Sequence, residues 1–138
     1  PAQGNGPLLM MQMAWLFFGF NGRIDRSVYA LAGLFVFTVQ MFVVYRYLMP
    51  FLGTLANGDF DPSQTLVLSP MSNLQSGVFL LGQLAHIALA AKRIHDFGRS
   101  GFFALLFMFA GLIAYFALCL IPGTPGPNKH GARTNAPK

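Results

Sequence analysis

The stretch KRIHDFGR at 92–99 holds three of the chain's nine cations, one of its four acids and one of its three histidines, between two apolar runs. Residues of these types can support three chemistries: acid–base catalysis, metal ligation, or anion binding. In a catalytic His–Asp pair the acid orients the imidazole across space. His95 and Asp96 are instead immediate neighbours that diverge on a helix, and apart from the nearby Ser100 no nucleophile accompanies them. A metal site needs three or four donors. His86, His95, Asp96 and His130 are so spaced that gathering them would require the tail to fold across a membrane. We therefore expect no catalytic residue, no metal and no cofactor. Anion binding remains, because guanidinium groups match phosphate geometry.

On a helix running to Phe97, Asp96 lies three residues from Arg93 and four from Lys92, so its carboxylate can pair with either. A second cluster, NGRIDRS at 21–27, repeats the pattern with Arg23, Asp25 and Arg26. Asp25 is an expected partner of Arg93 or Arg99, and Arg99 is expected to reach phosphate or the NGRIDR turn. Gly98 and Gly101 permit a tight turn between the apolar runs. Together Arg23, Asp25, Arg26, Lys92, Arg93, His95, Asp96 and Arg99 are expected to form one structural network that also contacts anionic phospholipids.

The elements that must position these residues are helices in a bilayer. Charged residues make up 9% of the 138-residue chain, where a soluble domain has about 25%. The mean hydropathy is +0.53. Three Lys and six Arg face four Asp and no Glu, giving +5, and most of this charge flanks apolar runs. No continuous basic helix or basic stripe with interleaved stacking residues is present, so no nucleic-acid partner is expected. Cys119, the single cysteine, lies within an apolar run and reads as a small core residue.

The expected fold is a single all-α membrane domain over 1–138. LLMMQMAWLFFGF at 8–20 is too short to span and reads as an interfacial helix, or equally as a cap on the bundle. Membrane helices are expected at 29–48, 77–97 and 102–121, with Ser27 or Asp25 capping the first and Ser100 the third. Residues 49–76, with three prolines and no cation, read as an exposed loop, and its NGDFD segment at 57–61 as a plain turn. The Pro/Gly-rich tail at 122–138 is expected to be irregular. PAQGNGPLLMMQMAW lacks a cationic start and a clean cleavage site, so the first span is expected to serve as the insertion signal, and Pro1 fits loss of an initiating Met.

The Lys/Arg bias places the N-terminus and the 92–99 turn in the cytoplasm and residues 49–76 outside. Three spans would then put the basic tail outside, against that same bias; a re-entrant third run would keep it inside. Within the apolar runs, Gln40, Gln83, His86 and Tyr115 are polar. Gln40 and His86 fall about 16 Å and Tyr115 about 20 Å from the cytoplasmic ends of their helices, so they are expected to form a hydrogen-bonded cluster. Small residues at Gly82, Ala85 and Ala88, and at Ala110, Gly111, Ala114 and Ala117, mark faces for close helix packing.

Three ordered segments, FFGFNGRIDRSVY at 17–29, LALAAKRIHDFGRSGFFALL at 87–106 and GTPGPNKHG at 123–131, resemble the small bacterial inner-membrane family called domain of unknown function 805. The resemblance carries over to Gly22, Arg23, Arg26, Arg93, His95, Asp96, Arg99, Ser100, Gly101, Gly123, Thr124, Gly126 and Asn128. His130 stands where an aromatic is usual, and Ile94 where Leu is common. The family implies a multi-span bacterial inner-membrane protein without an established reaction. If the tail motif packs on the other two, it lies in the cytoplasm, which strengthens the re-entrant alternative to the three expected spans.

These features lead us to expect a non-enzymatic accessory or packing subunit of a larger membrane assembly, such as an energy-converting or transport complex. The alternative is a small transporter or binder of an anionic solute or lipid, with Arg23, Arg26, Arg93 and Arg99 as the anion clamp.

Overall fold

The computed structural model describes residues 6–58 and 70–138. Among them are α1 (Gly6–Phe18), α2 (Arg26–Ala56), α3 (Asn73–Asp96), a 3₁₀ helix (Gly101–Leu106) and α4 (Phe107–Leu120), with no strand. Two of these, α2 and α3, are long and apolar enough to cross a membrane.

Local chemistry sets the ends of both long helices. Asp25 is the N-cap of α2, its carboxylate accepting from the Val28 amide at 2.8 Å. Ser72 caps α3 through a reciprocal capping box with Gln75, so that the helix begins at Asn73, four residues before the expected start at Gly77. At the other end of α3, the Gly98 amide donates to the His95 carbonyl and the Arg99 amide to that of Ile94. This is a Schellman stop, and it needs the left-handed φ of +77° that Gly98 supplies.

The first helix is longer than its expected 29–48. Pro50 removes one ladder hydrogen bond, but the apolar residues Phe51, Leu52 and Leu55 continue the run, and α2 ends only at Ala56. The start of the expected loop is therefore helical. Asp59 and Asp61 of the NGDFD segment lie outside the described residues.

Antiparallel packing of α2 on α3 makes the core. Gln40 donates to the Phe79 carbonyl at 3.3 Å, and its side chain lies over Gly82, where a Cβ would come within 2.8 Å of Gln40 Cγ. Ala85 and Ala88 are buried. The small-residue face of α3 is thus used within the chain and is not left for a partner.

A single membrane helix is expected over 102–121, and the backbone of that run is not one continuous α-helix. The run is divided into the 3₁₀ helix and α4, with Ala110 in a non-helical conformation near the start of α4 (φ −126°, ψ 27°). At 1.5 Å per residue, the 14 residues of α4 reach about 21 Å, short of the ~30 Å hydrocarbon thickness. Both ends of the run return to the same end of α3. Gly101 abuts the His95 ring, and Arg93 takes the Leu118 and Ile121 carbonyls.

Gln40, Gln83, His86 and Tyr115 are expected to form one hydrogen-bonded cluster; among the described residues Gln40 and Tyr115 use separate partners. Tyr115 donates to the Ala30 carbonyl at 2.6 Å, while Gln40 uses that of Phe79. Phe37 links the other two buried rings, its centroid 4.1 Å from His86 and 5.1 Å from Tyr115. Gln83 is half-buried on α3.

Gly33 lets Tyr115 approach α2, since a Cβ there would stand 2.5 Å from Tyr115 Cε2. Gly33→Ala is therefore expected to cost about 1–3 kcal/mol through overpacking, read as a lowered unfolding temperature in mild detergent. An unchanged temperature would show that α4 does not dock on α2.

α1 docks through its C-terminal half. Trp15, Leu16 and Phe17 pack on the core, while Leu8, Leu9, Met10, Met11 and Met13 are exposed. The C-terminal half of α1 therefore packs on the bundle, and its N-terminal half leaves apolar side chains exposed.

Candidate functional site

The polar cluster is assembled around Asp96, at the last turn of α3. Arg23, on the segment entering α2, directs Nε and Nη2 to Asp96 Oδ1 at 3.1 and 2.9 Å. From the preceding turn of α3, Arg93 Nη1 donates to Oδ2 at 2.6 Å. A third donor, the Thr134 hydroxyl, reaches Oδ1 at 3.3 Å. The two arginines are each 1% exposed and Asp96 3%, so this ion triad is enclosed.

An enclosed guanidinium must satisfy the rest of its fork. Arg23 Nη1 donates to the Gly126 and Gly131 carbonyls at 2.7 and 3.3 Å, and Nη2 to that of Thr124 at 2.9 Å. Arg93 uses Nε on Leu118 O at 3.0 Å and Nη2 on Ile121 O. Those carbonyls belong to the end of α4, where no intrahelical donor is available. Arg93 therefore fastens α4 to α3 while it neutralises Asp96.

The tail completes the arrangement from the other side. The Thr124 amide and hydroxyl donate to the Asp96 carbonyl at 3.0 and 2.6 Å, and Asn128 Nδ2 to that of His95 at 2.9 Å. This gives GTPGPN a physical role: it caps the open carbonyls at the end of α3. Gly123 is required there, because a Cβ would run into Asp96 Oδ2. Asn135, at φ +61°, donates its amide to the Arg23 carbonyl at 2.7 Å and exchanges two bonds with Asp25, at 2.9 and 2.7 Å.

Two pairings differ from those expected. Lys92 does not reach Asp96. Its side chain leaves α3 toward α1, where Nζ donates to Trp15 O at 3.1 Å and to Gly19 O and lies 5.4 Å from the Trp15 ring centre. Asp25 pairs with Asn135, and Arg93 acts on it only through its field. Burial is the strongest single influence on Asp25 and pushes its pKa up. Hydrogen bonds from Val28, Asn135 and Ser27, with the charge of Arg93, outweigh it and hold the group below 3.8. Arg26 and Arg99 are exposed.

The tail also brings together two histidines that looked remote in sequence. His95 Nδ1 lies 3.2 Å from the Gly22 carbonyl, and its ring stacks on His130 with centroids 3.9 Å apart and planes 8° from parallel. Burial lowers the His130 pKa below 6.5, and His95, Lys129 and Lys138 lower it further, although a bond to the Arg99 backbone raises it. A lowered folded-state pKa means that the undocked tail binds the proton more readily. The docking contribution of His130 is thus complete above about pH 6.5 and is lost as pH falls through its folded value. Trypsin cleavage at Lys129 and Arg133 should accelerate at pH 5.5 relative to pH 7.5, after correction with a control peptide. His130→Phe should flatten that ratio; an unchanged ratio would mean that His130 does not hold the tail.

Among the described residues no three His, Cys, Asp or Glu side chains converge as metal ligands. Thr134, Asn135 and the Trp15 carbonyl were not anticipated, and only the polar Thr-Asn pair in an otherwise Pro/Gly-rich tail hinted at the first two. A family model described as "Protein of unknown function (DUF805)" matches residues 17–132. No curated protein and no solved structure matches the chain.

Proposed function

The chain belongs to the DUF805 family, whose function is unknown, and from its geometry we propose that it is a non-enzymatic accessory or packing subunit of a larger assembly in the bacterial inner membrane. One observation carries this reading. Three charged residues of the family motifs, Arg23, Arg93 and Asp96, are directed at one another and at backbone carbonyls, so that they lock the ends of α2, α3, α4 and the tail together. The outward surface meanwhile is apolar on every helix, with Leu31, Leu34, Phe35, Met41 and Phe42 exposed on α2 and Phe109, Leu112, Ile113 and Phe116 on α4. Such a molecule is rigid at its polar end and adhesive elsewhere.

In the proposed topology α2 and α3 cross the bilayer and the 102–121 run re-enters. The N-terminal turn, the 92–99 turn and the tail face the cytoplasm, following their Lys and Arg. The anion-clamp alternative is weaker on this geometry, because Arg23 and Arg93, two of its four arginines, have their donors committed to Asp96 and carbonyls.

The test is to tag the C-terminus, extract native membranes in mild detergent and identify what migrates with the protein by mass spectrometry. A stoichiometric set of membrane subunits is the expected result. Migration as a free monomer would overturn the proposal.

A further inference from the structure

On the outside of the bundle, the last turn of α3, the 3₁₀ helix and α4 border an open groove of about 370 Å³, lined by Ile94, Phe97, Phe103, Ala114 and Leu118 together with Arg99. We propose that this groove holds an acyl chain of an anionic phospholipid whose phosphate rests on Arg99.

Position is the first argument. Arg99 follows directly on the Gly98 stop of α3, a helix long enough to cross a membrane, so in the proposed topology it stands at headgroup level. From there the apolar walls run along α4 on the lipid-facing side, where Phe103 is 55% exposed. The volume falls in the ~300–1,000 Å³ range of ligand sites.

Charge complementarity is the second. Lys92 and Arg93 of the same cluster are enclosed and committed to protein acceptors, whereas Arg99 is exposed. His130 stacks on His95, four residues before Arg99, and its neighbour Lys129 is also exposed. The nearest acid on α3, Asp96, is turned inward between Arg23 and Arg93. Among the described residues no carboxylate lines the groove.

The chemistry of the walls then selects the occupant. A free anion would use Arg99 and leave the apolar surface uncovered. A peptide would bring backbone N–H and C=O groups to walls that offer them almost no partner, which is costly away from water. A fatty chain with a phosphate at one end satisfies both parts.

Native mass spectrometry of the full chain in mild detergent, titrated with phosphatidylglycerol or phosphatidylcholine, tests the proposal. The wild type should retain one phosphatidylglycerol in preference to phosphatidylcholine. Arg99→Ala should weaken phosphatidylglycerol binding about fivefold, the effect of one basic residue facing anionic lipid, and erase the preference. Ala117→Phe, at an exposed position on the groove wall, should remove binding of both lipids. Arg46→Ala, exposed on α2 and outside the groove, should change nothing. Lipid-free unfolding temperatures of the variants should match the wild type, so that lost binding cannot reflect lost folding. Full binding by Arg99→Ala or by Ala117→Phe would overturn the proposal, as would displacement of the lipid by inorganic phosphate alone.

Discussion

Asp96→Asn is expected to destabilise the protein by about 3–5 kcal/mol, the cost of removing one member of a buried ion group. The substitution preserves shape, so the loss comes from charge. Asp96 Oδ1 takes two bonds from Arg23, and Oδ2 takes one from Arg93. An amide can present its oxygen to only one of these guanidiniums and must turn an N–H₂ donor toward the other. Both arginines are 1% exposed, so neither can recover its hydration without opening the structure. The expected readouts are a lower unfolding temperature in detergent and rapid trypsin cleavage in the tail, because Thr134 also bonds Asp96 Oδ1. Apolar replacement of all three residues is not expected to restore the loss, because Arg23 and Arg93 also donate to the Thr124, Gly126, Gly131, Leu118 and Ile121 carbonyls, which would be left without these donors. Wild-type stability in Asp96→Asn would mean that the triad is not enclosed.

The local part of this architecture was legible in the sequence. Asp25 as a cap, Gly98 as the stop of α3 and the Arg93–Asp96 step of three residues all follow from interactions within one helical turn. Lys92 was misassigned because spacing places it within reach of Asp96 but does not register the competing carbonyls of Trp15 and Gly19, which α1 brings to the other side of α3. The Arg23–Asp96 pair, 73 residues apart, was visible only as two clusters of matching composition. Hydropathy could not decide the fate of 102–121, because a spanning and a re-entrant run need the same apolar residues. The break near Ala110 carries no proline. The tail was correctly expected to be irregular, yet its order depends on side-chain bonds from Thr124, Asn128, Thr134 and Asn135 to groups that earlier elements supply. Irregular backbone can be held as firmly as a helix when each polar group has a partner.

Sidedness gives the other large effect, one that is all or none. In a Cys119→Ser background, which removes the chain's single cysteine, Ser27→Cys and Lys138→Cys should react with an impermeant thiol reagent from the same face of the membrane, and Asn57→Cys from the opposite face. Ser27 is in the first turn of α2 and Asn57 caps its far end, so α2 alone separates those two labels. The tail is placed by its bonds: the Thr124 amide reaches Asp96 O at 3.0 Å and the Asn135 amide reaches Arg23 O at 2.7 Å. A hydrocarbon core about 30 Å thick cannot separate groups bonded at that distance. If 102–121 spanned instead, Lys138→Cys would label together with Asn57→Cys, and the consequences would extend well beyond the tail. Arg23 would lose its acceptors on Thr124, Gly126 and Gly131, Arg93 would lose Leu118 and Ile121, and the last carbonyls of α3 would lose Thr124 and Asn128. Two buried guanidiniums would then share one carboxylate with most of their remaining donors unsatisfied, an arrangement that burial heavily penalises. The proposed re-entrant run therefore fits the enclosure of Arg23 and Arg93, and the labelling pattern tests the polar cluster together with the topology.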